Sequence, residues 1–209
     1  MRIADLDLPE PMRASLQDAY ASPPRAYHHF GHVGDVLRHY AQVSDAIGWH
    51  QPREVGLAVL YHDAVYVAGR ADNEARSAQL AREAIARWLP DAGIDADRVA
   101  ALIAMTARHG QWDPGDFPAD AAGDDARRFL DCDMAILGAD PAAFDAYDRA
   151  IAEEYRGLAP RWLYRRRRRA FLAGLLRRAR IYLSDEAHAR LDAPARANLR
   201  RAVADGVAG

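Results

Sequence analysis

The sequence predicts an all-α protein on three observations. Helical periods run through nearly the whole chain, no segment sustains the alternation of strands bounded by hairpin turns, and the breaks between periodic segments are loop-length. Over 30–47, Val33, Val36, Leu37 and Tyr40 fall at i, i+3, i+4 and i+7, the stripe of an amphipathic helix. The stretch 53–67 is so apolar that it reads as a central, largely buried helix. Over 73–89 the period runs through Ala78, Ala81, Ile85, Trp88 and Leu89 and stops at Pro90 and Gly93. Further helices are expected over 99–109, 124–137, 141–155, 160–182 and 186–203. Ser22-Pro23-Pro24 and the segments 69–72, 90–95, 110–123 and 158–160 punctuate them. With no internal repeat and no low-complexity tract, the chain reads as one helical domain over 1–209. Its chemistry-bearing core covers about 20–138, and a helical extension packs on over about 139–209.

Composition narrows the function. The 209 residues are 50% hydrophobic and 28% charged, a soluble globular profile. No run approaches about 18 apolar residues, and the N-terminal MRIADLDLPEPMR carries acids and prolines in place of a basic and then apolar signal. No membrane span or export signal is expected, and a cytoplasmic address follows as the default. A single cysteine, Cys132, excludes an internal disulfide framework and any multi-cysteine metal site. The 28 basic residues against 30 acidic ones give a net charge of -2, which argues against a general nucleic-acid binder. Every basic residue is arginine, so a lysine Schiff base, lysine general base or P-loop lysine is excluded. The oligomeric state stays open, with a homodimer among the options.

The chemistry lies in the first two thirds: His28 and His29, His32, the doublet His62-Asp63, His109, then Asp131 and Asp133. On a continuous helix His28 and His32, four apart, would share a face. His62 and Asp63 are sequential, yet a long imidazole and a short carboxylate can converge on an ion between their two directions. Such a nitrogen and oxygen set suits Mn, Fe, Co, Ni or Zn, and Mg where waters complete the shell. The doublet lies in the most apolar stretch, where an ionised carboxylate needs a partner; a hydrogen-bonded structural pair is the competing reading. His109 reads either as a site residue or as a satisfied core histidine. Trp112, Asp113 and Phe117 form either a lid or a cover over the core. Asp72 or Asn73 reads as an N-cap, and Glu74 sits in a helical first turn. Arg165 to Arg169 must point all round a helix, so a solvated face paired with Glu153 and Glu154 is expected. A second reading has one or two of the five reach into the site to clamp a phosphate, and a third makes the run an RNA-binding surface, against the net negative charge.

The order His32, His62-Asp63, then a distant Asp resembles the HD superfamily of metal-dependent phosphohydrolases. A closer resemblance is to a group of small bacterial proteins described as predicted HD phosphohydrolases. It is carried by Arg25-Ala26-Tyr27-His28 with His32, Tyr61-His62-Asp63-Ala64-Val65-Tyr66, and Asp72-Asn73-Glu74 with Ser77. It continues through Thr106-Ala107-Arg108-His109 and Phe129-Leu130-Asp131-Cys132-Asp133-Met134-Ala135-Ile136-Leu137-Gly138, and covers most of 20–182. The resemblance implies an HD-type helical bundle in which His32, His62, Asp63 and one later carboxylate hold a single divalent cation. Asp133 is preferred for the last place, because Cys132-Asp133-Met134 fits the small residue, Asp, apolar pattern, with Asp131 as rival and Cys132 as core. It implies catalytic roles for Asp63, Glu74, His28 and His109. Tyr27, Asn73, Arg165 and Arg169 are the candidates for the substrate. No acid lies within four residues after Asp63, so Glu74 is the nearest substitute for the acids that some subgroups place there. The expected activity is hydrolysis of a phosphoester of a nucleotide or other small phosphorylated metabolite by metal-activated water. The alternative is a non-catalytic metal-containing protein that binds or senses a phosphorylated ligand.

Overall fold

A computed structural model describes residues 2–205. A two-residue antiparallel hairpin, β1 (Arg2–Ile3) and β2 (Leu6–Asp7), opens the chain. Everything else regular is helical: α1 (Glu10–Ala21), α2 (Phe30–Ala46), α3 (Pro52–Tyr61), α4 (Asn73–Trp88), α5 (Ala96–Thr106), α6 (Ala121–Met134), α7 (Pro141–Glu154), α8 (Arg161–Arg177) and α9 (Asp185–Asp205). Short 3-10 turns lie at Pro114–Asp116 and Ala135–Gly138. The fold is all-α, and no helix among the described residues is long and apolar enough to cross a membrane.

The central helix is α3, as its apolar run demands. Val55, Leu57, Ala58, Val59 and Leu60 are all inaccessible to solvent, and α3 packs against β1, α2, α4, α5 and α6. Gly56 lets Ile3 of the hairpin lie directly on it, since a Cβ there would sit 1.9 Å from Ile3 Cγ2. At its N-terminal end, buried Asp125 of α6 accepts the backbone N–H groups of His50 and Gln51 at 3.1 and 2.7 Å. At the other end the helix stops at Tyr61, earlier than its hydrophobicity predicts. The doublet therefore sits in the turn that leaves the helix, with His62 as C-cap, and not inside it.

Two apolar clusters fill the molecule. The first joins the hairpin and α1 to α6, and includes Leu183 from the connection before α9. The second joins Leu137, Phe144, Leu172, Leu175, Tyr182 and Leu199 with their neighbours in α7, α8 and α9. The first cluster begins at Ile3 and Leu8, well before residue 20, because α1 buries Met12, Leu16 and Tyr20. That helix has no counterpart among the expected segments.

Candidate metal centre

Four side chains meet where three helices end and one begins. His32 lies in the first turn of α2, His62 caps α3, Asp63 follows it, and Asp133 is in the last turn of α6. His109, just past the end of α5, stands behind Asp133.

The donor atoms are close and all are of the accepting kind. His32 Nε2 and His62 Nε2 lie 3.1 Å apart. Asp63 Oδ2 is 3.6 Å from the first and 3.2 Å from the second. Asp133 Oδ1 is 3.0 and 3.5 Å from the same two nitrogens. Ligands at about 2.0–2.2 Å from a divalent ion are separated by about 3.0 Å at right angles and about 3.5 Å at tetrahedral angles, so these spacings fit neighbouring positions around one ion. His62 is also set for ligation, because its Nδ1 donates to the Val59 carbonyl oxygen at 2.9 Å and leaves the Nε2 lone pair facing the centre. Asp133 Oδ2 is bound by His109 Nε2 at 2.6 Å, the outer-shell contact that orients a ligating carboxylate.

Burial puts a demand for positive charge on this group. His32 and His62 are 3% and 1% exposed, and two carboxylates face them. Burial lowers the His62 pKa, but the charges of Asp63 and Asp133 outweigh it and hold it well above its ordinary value. Burial likewise pushes Asp63 and Asp133 up, and the neighbouring imidazoles, His62 first, bring both below the usual carboxylate range. The group asks for positive charge, which an ion supplies without protonating a ligand.

Asp131 is not part of this centre. Its Oδ1 accepts the Leu183 N–H at 2.7 Å, and its Oδ2 accepts the Ser184 N–H at 2.7 Å and the Ser184 hydroxyl at 2.6 Å. It holds the entry to α9, and both oxygens are used there. Cys132 is a buried core residue, and burial pushes its thiol well up.

The centre forms the floor of a cleft of about 390 Å³ between the first cluster and α7 and α8. His28, Glu74, Thr106 and His109 line it beside Asp63 and Asp133. Tyr27, Tyr66, Tyr147, Tyr155 and Phe171 form an aromatic wall. Tyr27 lies 4.7 Å, ring to ring, from both His32 and Tyr147. His28 precedes α2, whose N-cap is His29, so it shares no helix face with His32. The chain turn still brings the two rings to 5.9 Å.

The remaining candidates fall elsewhere. Asn73 braces the loop before α4, exchanging hydrogen bonds with both backbone groups of Val67 at 3.0 Å. Asp72 occupies the N-cap without a side-chain capping bond and pairs with Arg70. Arg165 and Arg169 line grooves on the outer side of α7 and α8, away from the cleft. Arg168 is the arginine of that run that lines it, held by Asp148 at 2.8 Å and lying over the Tyr147 ring at 5.1 Å. Glu153 pairs with Arg156 and Glu154 with His28. Trp112 and Phe117 pack on each other at 5.3 Å against the core, and Asp113 ties the loop to Arg178, which makes this segment a cover.

Three side chains line or brace the cleft through partners that the sequence does not indicate, one of them, Arg168, within the run of five arginines. Glu154 reaches His28 from α7, and Arg168 and Tyr147 meet across α7 and α8. A fourth, Arg25, was visible only as part of a motif. Its Nη1 donates to the carbonyl oxygens of His28 and Asp63 at 2.9 and 2.6 Å, and its Nη2 to those of Ala19 and Ala64 at 2.9 and 3.0 Å. The guanidinium thus pins the doublet turn to the segment that carries His28.

No protein-family model, no curated protein and no solved structure matches this chain.

Proposed function

We propose that this protein is a metal-dependent phosphohydrolase of the HD type that cleaves a phosphoester of a nucleotide or another small phosphorylated metabolite. The observation that carries the reading is the set of two imidazole nitrogens and two carboxylate oxygens, five of whose mutual spacings are 3.0–3.6 Å, at the floor of an open cleft. His32, His62, Asp63 and Asp133 would hold one divalent ion. When bound, such an ion makes water more acidic and offsets the charge of phosphate oxygens.

The chain supplies the rest. Asp63 has one oxygen turned to the histidines and lines the cleft, where it is placed to orient an attacking water. His109 fixes Asp133 through Oδ2 and also lines the cleft. Arg168 is the arginine on the cleft wall and offers a charge that a phosphate can meet. Glu74 lies on the same cleft, a carboxylate available to accept a proton from water or a substrate hydroxyl. The tyrosines and Phe171 give the organic part of the ester an apolar wall.

The test pairs elemental mass spectrometry of the purified protein and its Asp63→Ala variant with a panel of phosphomonoesters, cyclic nucleotides and diesters. Near-stoichiometric metal in the parent, little in the variant and turnover of at least one ester are expected. Metal without turnover favours the non-catalytic binding protein. No metal after incubation with manganese, cobalt, nickel and zinc refutes the centre.

A further inference from the structure

Glu154 spends its two oxygens on different tasks. Oε1 accepts the backbone N–H groups of Tyr27 and His28 at 2.8 and 2.9 Å, and Oε2 meets His28 Nδ1 at 2.6 Å. Stabilising the turn before α2 needs only the first oxygen; the second addresses the imidazole, with the Tyr66 side chain also beside the carboxylate. The Glu154 side chain is 4% exposed. Burial pushes its pKa up, but the bonds from His28 and the two backbone groups prevail and bring it to about 2, so the carboxylate is ionised and can only accept. The proton of that bond therefore lies on Nδ1.

The ring is held in plane as well as in direction. Tyr66 stacks on it at 3.9 Å and 25°, and Tyr27 meets it edge-on at 5.0 Å and 84°. Rotation of the imidazole would break the Glu154 bond and the stack together. Its Nε2 makes no hydrogen bond among the described residues, and the ring lines the cleft beside Asp63 and Asp133.

We propose that Glu154 is a positioning residue for His28: it fixes the ring with the proton on Nδ1, so that Nε2 is the atom offered to the phosphoester in the cleft. The substrate half of this statement rests on the phosphohydrolase reading; the pairing does not. It makes the α7 extension a working part of the site, because the group that aims His28 lies 126 residues further along the chain.

The decisive variant is Glu154→Gln. Its amide oxygen can still accept the two backbone N–H groups, so the turn is kept, while its amide nitrogen can only donate. His28 Nδ1 must then accept, and the ring proton moves to Nε2. With the full-length chain labelled with ¹⁵N-histidine and His28 assigned by its loss in His28→Asn, NMR reads the tautomer directly. The parent is expected to show a protonated Nδ1 and an Nε2 resonance that moves on adding inorganic phosphate. Glu154→Gln should transfer the proton to Nε2 and lower kcat/KM on bis(p-nitrophenyl) phosphate by roughly tenfold or more, with metal content unchanged. Glu154→Asp, which keeps the carboxylate, should recover part of the loss.

An unprotonated Nδ1 in the parent, an Nε2 insensitive to phosphate, or full turnover in Glu154→Gln overturns the proposal. A parent inert toward the ester whose Nε2 still moves with phosphate counts against the hydrolase and for the pairing. Turnover indifferent to Glu154→Gln does the reverse.

Discussion

On an α-helix, residues two apart point about 200° apart, so Asp131 and Asp133 leave α6 on opposite sides. One faces the histidines and the other faces the start of α9. Substitution should separate them cleanly. Asp133→Ala is expected to abolish stoichiometric metal. Asp131→Ala should keep it while leaving the N–H groups of Leu183 and Ser184 without their acceptor, at a cost of about 2–4 kcal/mol read by urea unfolding. Retained metal in the first variant, or lost metal in a folded second one, would reverse the assignment. Glu154 provides a pH test at the same scale. Its carboxyl is at about 2 in the folded chain against an ordinary 4.5, so its contribution is complete above about 4.5 and is lost as pH falls toward 2. Between those values the parent should lose stability more steeply than Glu154→Gln, and equal slopes in acid unfolding curves would contradict the pairing.

At the scale of elements, the doublet turn depends on a single guanidinium. Arg25 satisfies four carbonyl oxygens belonging to α1, the His28 segment and the turn after α3. Arg25→Ala should cost about 2–4 kcal/mol, the scale for removing a charged donor from a part-buried polar network, and should weaken metal retention because Asp63 loses its anchor. Arg25→Lys, with a point charge in place of a fork, should recover only part of this. Thermal melts and metal analysis of both variants check it, and a lysine variant equal to the parent would deny the fork its role. The order of the helices after α1 was legible because each buries one apolar stripe, whereas the grouping of His32, His62, Asp63 and Asp133, which the fold brings together, came from the resemblance to the HD pattern with Asp131 as rival. Helix ends were harder to see. Hydrophobicity continues past Tyr61 to Val67, while hydrogen bonding stops at His62, since the residues after it are held by Arg25, Ser77 and Asn73. α1 escaped because its three buried residues are separated by polar ones and flanked by prolines. The pairing of Glu154 with His28, and which arginine of the run lines the cleft, escaped for a different reason: the partners lie on other elements, and neither periodicity nor spacing along the chain encodes such a meeting.

For the whole molecule, the question is whether the two apolar clusters behave as one. Asp131 of α6 accepts from the residues that enter α9, and Leu183 inserts into the first cluster. Tyr182 donates to the Met134 carbonyl oxygen at 3.2 Å, and Asn198 closes the turn after α6 through the carbonyl oxygens of Leu137 and Ala139 at 2.9 and 2.8 Å. The second cluster therefore clamps the end of the helix that carries Asp133, and a loosened α9 would let that carboxylate drift from the histidines. Trp49, Trp88 and Trp112 pack on the first cluster, and the fourth tryptophan, Trp162 of α8, is already 64% exposed, so the fluorescence change on unfolding comes chiefly from that half while far-UV circular dichroism reports both. The two signals should trace one urea transition, the mark of a single cooperative unit. Leu199→Ala, a truncation deep in the second cluster, should lower the fluorescence-detected stability by about 2–5 kcal/mol, although no tryptophan of the first cluster touches it. If that variant shifts only the dichroism signal, the clusters unfold independently and the extension is a wall of the cleft without being a clamp on Asp133.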